Sequence, residues 1–162
     1  MDLITKEGYS NLQTKLKEYR GQTEEITERV KLAREDSAEI SENKEYIEAL
    51  EDQDRLDKKI IDLERKIATI RVIDINDYTE EMKTKVRFGC TVLVLDCDTD
   101  EKHQYKIVGV DEVDTLKKDV CLSISCKSPV GSSIIGKGVG EEADILTPSG
   151  DRVFEILEIE YI

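Results

Sequence analysis

Residues 36–46 read DSAEISENKEY, with four carboxylates (Asp36, Glu39, Glu42, Glu45) and one lysine, Lys44. They lie between two runs of helical periodicity, and their reading decides whether those runs are separate helices or one hairpin. On the N-terminal side, one position set recurs at alternating spacings of three and four: Tyr9, Leu12, Leu16, Tyr19, Thr23, Ile26, Val30, Ala33, Ser37. On the C-terminal side the set is Glu42, Tyr46, Ala49, Gln53, Leu56, Ile60, Leu63, Ile67, Ile70. Both are heptad seams, mostly apolar and flanked by charge. No Pro or Gly interrupts 22–88.

The two seams mirror each other. Tyr9 pairs with Ile70, Leu12 with Ile67, Leu16 with Leu63 and Tyr19 with Ile60. Thr23 then pairs with Leu56, Ile26 with Gln53, Val30 with Ala49 and Ala33 with Tyr46. Every pair is symmetric about a point between Glu39 and Ile40. That is the numbering of an antiparallel hairpin in which each layer takes one residue from each helix. The polar Thr23 and Gln53 weaken the seam locally and help fix its register. Each helix of about 30 residues would reach roughly 45 Å.

The acidic stretch is then the tip of a coiled coil. Ser41 is the expected N-cap of the second helix. Glu42 is expected in that helix's first turn, where the helix dipole favours a carboxylate, and Glu39 in the turn itself. Ile40 would plug the turn. Charge runs are usually solvated surface. Here the turn brings Glu39 and Glu42 together at the far end of a long arm, where solubility needs no such help.

Composition narrows the function. The net charge of −13 repels nucleic-acid phosphates, so autonomous DNA or RNA binding is not expected. Charged residues make up 38% and aromatics 5% of the 162 residues, which suits a small domain plus a long solvated helical part. No apolar run is long enough for a membrane helix, and MDLITKEGYS lacks the basic and apolar regions of a signal peptide. The expected location is the cytoplasm. Cys90, Cys97, Cys121 and Cys126 form no CxxC pair, and His103 is the only histidine. They read as reduced cysteines in strands and a surface histidine rather than a zinc site or a nucleophile with its base.

The composition changes near residue 75, where Asp-Ile-Asn-Asp-Tyr-Thr-Glu-Glu-Met-Lys-Thr reads as a linker. Strand signals follow at Phe88–Leu95, Gln104–Val110, Val120–Cys126 and Arg152–Ile162, the last alternating through Phe154, Ile156, Ile159 and Tyr161. Thr147-Pro-Ser-Gly-Asp is a turn joining the last two strands. Ser128-Pro-Val-Gly-Ser-Ser-Ile-Ile-Gly reads as a short helix, with Ser128 as N-cap, Pro129 at its first position and Gly136 as stop. Gly136, Gly138 and Gly140 lack the strand, helix and Lys-Ser/Thr of a phosphate loop. The fold expected is α+β: a helical hairpin over 1–75, with its acidic tip near 36–45, and a globular domain over 76–162. The globular half shows no catalytic set, and docking is its expected role.

These segments resemble, in order along nearly the whole chain, the Gre family of bacterial transcript-cleavage (transcription elongation) factors, the GreA type in particular. The resemblance rests on Thr5-Lys-Glu-Gly-Tyr, Ala33-Arg-Glu, Ser41-Glu-Asn-Lys-Glu-Tyr, Arg71-Val-Ile-Asp, Phe88-Gly-Cys-Thr-Val and Tyr105-Lys-Ile-Val-Gly. It continues through Ser128-Pro-Val-Gly, Ile135-Gly-Lys, Val139-Gly and Leu157-Glu-Ile-Glu-Tyr-Ile. It implies an N-terminal coiled coil and an FKBP-like C-terminal domain. It also implies that a monomer docks on the rim of the RNA polymerase secondary channel. The coiled coil passes to the active centre and stimulates the polymerase's own hydrolysis of a backtracked nascent RNA 3′ end. By this resemblance the chain is not itself an enzyme. The family tip, Gly-Asp-Leu-x-Glu-Asn, maps onto Glu39 at the Asp, Ile40 at the Leu, Glu42 at the Glu and Asn43 at the Asn.

Phosphodiester hydrolysis by two Mg²⁺ ions needs the second ion held and a water oriented for in-line attack. Glu39 and Glu42 are the expected catalytic and metal-holding residues, within the polymerase active centre only, with no cofactor bound tightly by the chain alone. Arg34 and Lys44 are expected RNA contacts, and Ser128, Pro129 and Val130 the expected polymerase docking segment.

The tip departs from the family pattern. Glu39 stands for Asp, Ala38 for Gly, and one residue is extra between Ala33-Arg-Glu and Ser41-Glu-Asn. Lys127 precedes Ser128, where relatives often carry an acidic or amide residue. Catalytic geometry is sensitive to displacements near 1 Å. Two readings therefore stand: a cleavage factor, or a paralogue that occupies the channel and regulates or inhibits the polymerase without cleaving. A third, a folding helper with an FKBP-like domain, lacks an aromatic-lined pocket in the sequence.

Overall fold

The computed structural model describes residues 2–35, 43–113 and 121–162. The chain forms two compact units. One comprises Tyr9–Thr69, and the other joins the first eight residues to Ile70–Ile162. The fold is α+β, with long N-terminal helices followed by a mixed sheet.

The helical unit consists of α1 (Lys6–Glu35), from Tyr9 onward, and α2 (Lys44–Thr69). From Tyr9 to Glu35, the residues withdrawn from solvent are the eight seam positions Tyr9, Leu12, Leu16, Tyr19, Thr23, Ile26, Val30 and Ala33. On α2 the seam residues Tyr46, Ala49, Gln53, Leu56, Ile60, Leu63 and Ile67 are likewise withdrawn, with Asp52 and Lys66 beside them. Low numbers on α1 meet high numbers on α2: Arg20 pairs with Glu64 at 2.7 Å, and Arg29 pairs with Asp52. The ammonium groups of Lys15 and Lys59 both sit 5.9 Å from the Tyr19 ring centre. Burial of the seam holds the pair together, and the exposed ion pairs add little.

The other unit holds a five-stranded sheet in the order β5-β4-β3-β7-β6. The strands are β3 (Thr91–Asp96), β4 (Lys102–Val108), β5 (Leu122–Ser125), β6 (Glu142–Thr147) and β7 (Gly150–Glu160). All neighbours are antiparallel except β4 and β5. Val86, Cys90, Val92, Val94, Ile107, Ile134, Ala143, Ile145, Phe154 and Ile156 form its core. Each large aliphatic among them contributes about 1.5–3 kcal/mol by burial. Helix α3 (Pro129–Ile134) adds Ile134, and its N-cap is Ser128 with Pro129 at the first position, as the sequence implies.

Several boundaries differ from the sequence reading. Arg87–Cys90 forms a turn (Cys90 N–H to Arg87 C=O, 3.3 Å), so the strand expected from Phe88 starts at Thr91. Val110 leaves β4 for a 3-10 turn over Val110–Glu112. The alternation of β7 shifts phase after Ile156, because pairing with β3 passes from Val94↔Ile156 to Leu93↔Glu158. Leu157 is the extra residue of a bulge, which explains the spacing of three between Ile156 and Ile159.

By packing, the chain divides at Thr69/Ile70, and residues 1–8 belong with the sheet-bearing unit. The physical reason is a parallel pairing of β1 (Leu3–Thr5) with β2 (Arg71–Ile73) and a buried carboxylate beneath it. Glu112, 1% exposed, accepts hydrogen bonds from Thr5 N–H (3.1 Å), Gly109 N–H (2.8 Å) and the Thr5 hydroxyl. The Thr5 hydroxyl in turn accepts from Gly8 N–H at 3.0 Å, capping the start of α1. The approach is close enough to exclude side chains at two points. A Cβ on Gly8 would lie 2.2 Å from the Glu112 carboxylate, and one on Gly109 would lie 2.3 Å from Leu3 C=O. An anion at a helix N-terminus is electrostatically favoured.

Candidate functional site

The tip is approached along α1 through Val30, Ala33 and Arg34, and left along α2 from Asn43. Each of the last two layers carries one small residue: Ala33 is 5% exposed and Ala49 fully buried. Small side chains at a helix contact let the two backbones come close. Asn43 uses that proximity. Its Oδ1 accepts from Tyr46 N–H at 3.0 Å, and its backbone C=O accepts from Ile47 N–H at 3.1 Å, which makes it the N-cap of α2. Its Nδ2 donates to Ala33 C=O on α1 at 2.6 Å.

Asn43 is the N-cap of α2 and Glu45 the carboxylate in its first turn; Ser41 and Glu42, to which the sequence reading gave these roles, lie outside the described residues. Both Ser41 and Asn43 are capping residue types, and the sequence alone does not choose between them. The donor contact to Ala33 had no sequence signal beyond the small residues at 33 and 49.

Glu39 and Glu42, with Ala38, Ile40 and Ser41, lie outside the described residues. Arg34 is solvent-exposed on the last turn of α1. Lys44 is solvent-exposed at the start of α2 and lies 3.7 Å from Glu48 one turn on. Asn43 therefore stands between the two cations in the chain order of the turn. Among the described residues, no group of three or more His, Cys, Asp or Glu could hold a metal ion. A carboxylate pair such as Glu39 and Glu42 is the hard-oxygen donor type that suits Mg²⁺ when other oxygens complete the shell.

In the sheet-bearing unit, the Ser128 hydroxyl is engaged locally. It accepts from Gly131 N–H at 3.0 Å and donates to Ser125 C=O at 2.7 Å. Pro129 is exposed, and Val130 is half-buried against the core. Ser128 thus shapes the segment, while Pro129 presents its surface. Lys127 pairs with Asp2 at 2.5 Å, and that contact holds its ammonium above the usual lysine range.

The cysteines separate by environment. Burial pushes the Cys90 thiol up to about 11. Cys97 is exposed, and its thiol is also raised, by desolvation and then by Glu142 and Glu155. His103 stacks beside Tyr105 at 6.0 Å between ring centres, on the sheet rather than beside a nucleophile. Among the described residues no helix is long and apolar enough to cross a membrane.

Comparison with known proteins matches the chain in two parts. Residues 2–72 match the family described as transcription elongation factor, N-terminal, and residues 81–161 match transcription elongation factor, GreA/GreB, C-term. The transcription elongation factor GreA of Orientia tsutsugamushi (strain Boryong) is 38% identical over 160 residues, covering 98% of this chain and 96% of the relative. The GreA of Vibrio cholerae is 42% identical over 137 residues, covering 85% and 83%. Among solved structures, GreA factor homolog 1 (Gfh1) of Thermus thermophilus is 24% identical, covers 98% of this chain and 97% of its own, and has a TM-score of 0.41. The chain belongs to the GreA/GreB family of transcription elongation factors.

Proposed function

We propose that this chain binds bacterial RNA polymerase at the rim of the secondary channel, inserts its hairpin, and stimulates Mg²⁺-dependent cleavage of backtracked nascent RNA. The observation that carries the reading is a two-helix arm whose distal ends are tied by one side chain, on either side of a segment holding Glu39 and Glu42. Family membership supports the elongation role.

The Pro129 surface, with Ser128 and Val130, docks on the polymerase as a monomer in the bacterial cytoplasm. Glu39 contributes a carboxylate to an Mg²⁺ shared with the polymerase active centre, and Glu42 orients the attacking water for in-line displacement. That ion supplies charge stabilisation on the scissile phosphate. Arg34 and Lys44, exposed on either side of the tip, contact the RNA backbone. The chemistry belongs to the polymerase, and the chain completes its site.

The test is a stalled, backtracked elongation complex with 3′-extruded RNA. Wild-type protein shortens the RNA, and Glu39→Ala and Glu42→Ala bind without shortening it. Wild-type binding with no shortening would favour the channel-occupying regulator, for which the extra tip residue and the Glu39 exchange are the motivating features.

A further inference from the structure

Along the two helices, Arg20, Arg29, Lys44, Arg55, Lys58 and Arg65 each lie against a carboxylate. A net charge of −13 makes such partners plentiful. Lys15 of α1 and Lys59 of α2 are placed differently. Neither is in an ion pair among the described residues, and both ammonium groups face one phenol ring, that of Tyr19, each 5.9 Å from its centre. A cation is attracted to an aromatic face, but two ammonium groups drawn to one ring repel each other. With Asp62, Leu63 and Lys66 these residues line a solvent-open groove of about 240 Å³ across the two helices. Asp62 is the one carboxylate among the lining residues, and Arg65, outside the groove, lies 3.7 Å from it. Three ammonium groups against one shared carboxylate make a locally positive spot on a strongly acidic chain.

From this convergence we propose that the groove binds a compact oligophosphate: the triphosphate group of a nucleoside triphosphate, or free inorganic triphosphate. Phosphate oxygens between Lys15 and Lys59 replace the repulsion of the two cations with charge-assisted hydrogen bonds, and Lys66 adds a third donor group. Tyr19 gathers the ammonium groups, so the ring is not free to stack a base, and the phosphate chain is the recognised part. A nucleic-acid strand fits less well. It needs cations that track its backbone, whereas the neighbouring Arg20 and Arg65 are paired with carboxylates and the rest of the chain repels a long polyanion. A compact anion meets chiefly the local charges, because those beyond about 10 Å are largely screened at about 0.1 M salt. The proposal is independent of the cleavage reading.

The test is an amide-shift titration of the full chain by NMR with sodium triphosphate, ATP, adenosine and a short oligouridylate, without magnesium, at about 0.1 M salt. Triphosphate and ATP should give saturating shifts clustered at Lys15, Tyr19, Lys59 and Lys66, and adenosine should give none. The tighter of triphosphate and ATP names the source of the phosphate chain. The double variant Lys15→Gln/Lys59→Gln should melt like wild type by circular dichroism, since both positions are exposed, and should bind triphosphate about tenfold or more weakly. Lys31→Gln removes the same charge from an exposed position of α1 outside the groove and should leave Kd unchanged. Shifts that do not saturate, or that spread over the other lysines, overturn the proposal. So does a double variant that binds like wild type, which would leave the two lysines as cover for the Tyr19 ring. Adenosine binding as well as ATP would make the ring a stacking site, and oligouridylate binding more tightly than triphosphate would make the groove a strand contact. Either result also overturns it.

Discussion

The two ends of α1 are secured in opposite ways. At its start, a fully buried carboxylate, Glu112, gathers Thr5, Gly109 and the capping hydroxyl, with no room for a Cβ at Gly8 or Gly109. Toward the far end of its described residues, a neutral, half-exposed amide, Asn43, bridges Ala33 of α1 and the start of α2. The first arrangement is costly to disturb, because burying a charge without its donors is strongly unfavourable. The second is cheap to disturb. The difference places a fully buried polar anchor in the sheet-bearing unit and a half-exposed one between the helices.

The largest effect should come from the sheet core. Ile107→Ala deletes a fully buried side chain, and the loss should be about 2–5 kcal/mol in denaturant unfolding of the whole chain. A loss confined to the helical unit would mean the two units share stability in a way this account does not allow. Glu112→Ala comes next. It leaves Thr5 and Gly109 N–H groups without their acceptor, and about 1–3 kcal/mol should be lost for each buried donor stranded. Hydrogen exchange at Thr5 should accelerate. Unchanged exchange there would show that β1 is held by its pairing with β2 alone.

Leu56→Ala removes the most buried large side chain of the hairpin seam and should lower the helical unit's melting temperature, by about 2 kcal/mol in stability terms. The smallest effect concerns pH. The Arg29 hydrogen bond holds the Asp52 carboxyl below its ordinary value. A lowered folded value means the contribution is present above the ordinary carboxylate range and lost as pH falls through the lowered value. Acid melting of Arg29→Met should therefore lack the corresponding part of the wild-type pH dependence, and the difference should shrink in salt. Thiol labelling at mild alkaline pH orders the cysteines independently: Cys97 should react before Cys90, whose burial both blocks access and raises the thiol.

The hairpin was legible because its spacing of three and four repeats over seven or more layers, so chance alternatives are few. The same is true of α3, where Ser128 and Pro129 sit at their preferred helix positions. Strands β1 and β2 were not legible, since three residues carry too little periodicity to signal an element. Glu112 was hidden for a different reason. It is one of 37 acidic residues, and only the tertiary approach of Thr5 and Gly109 distinguishes it from the solvated ones. The bulge at Leu157 was visible as a spacing of three between Ile156 and Ile159, although alternation alone did not name it. At the tip, the residue types were legible and the capping choice was not. Ser41 and Asn43 are both capping residue types, and the bond from Asn43 to Ala33 C=O is a tertiary contact with no sequence signature.

The most direct test of the account is single-turnover RNA cleavage in a backtracked complex across an Mg²⁺ titration, with wild type, Glu39→Ala and Glu42→Ala compared at saturating protein. The account predicts that wild type raises the maximal rate and reaches it at lower Mg²⁺ than polymerase alone, and that both variants lose the gain while still binding. Cleavage that survives both substitutions, or wild-type binding with no gain at any Mg²⁺ concentration, would contradict it.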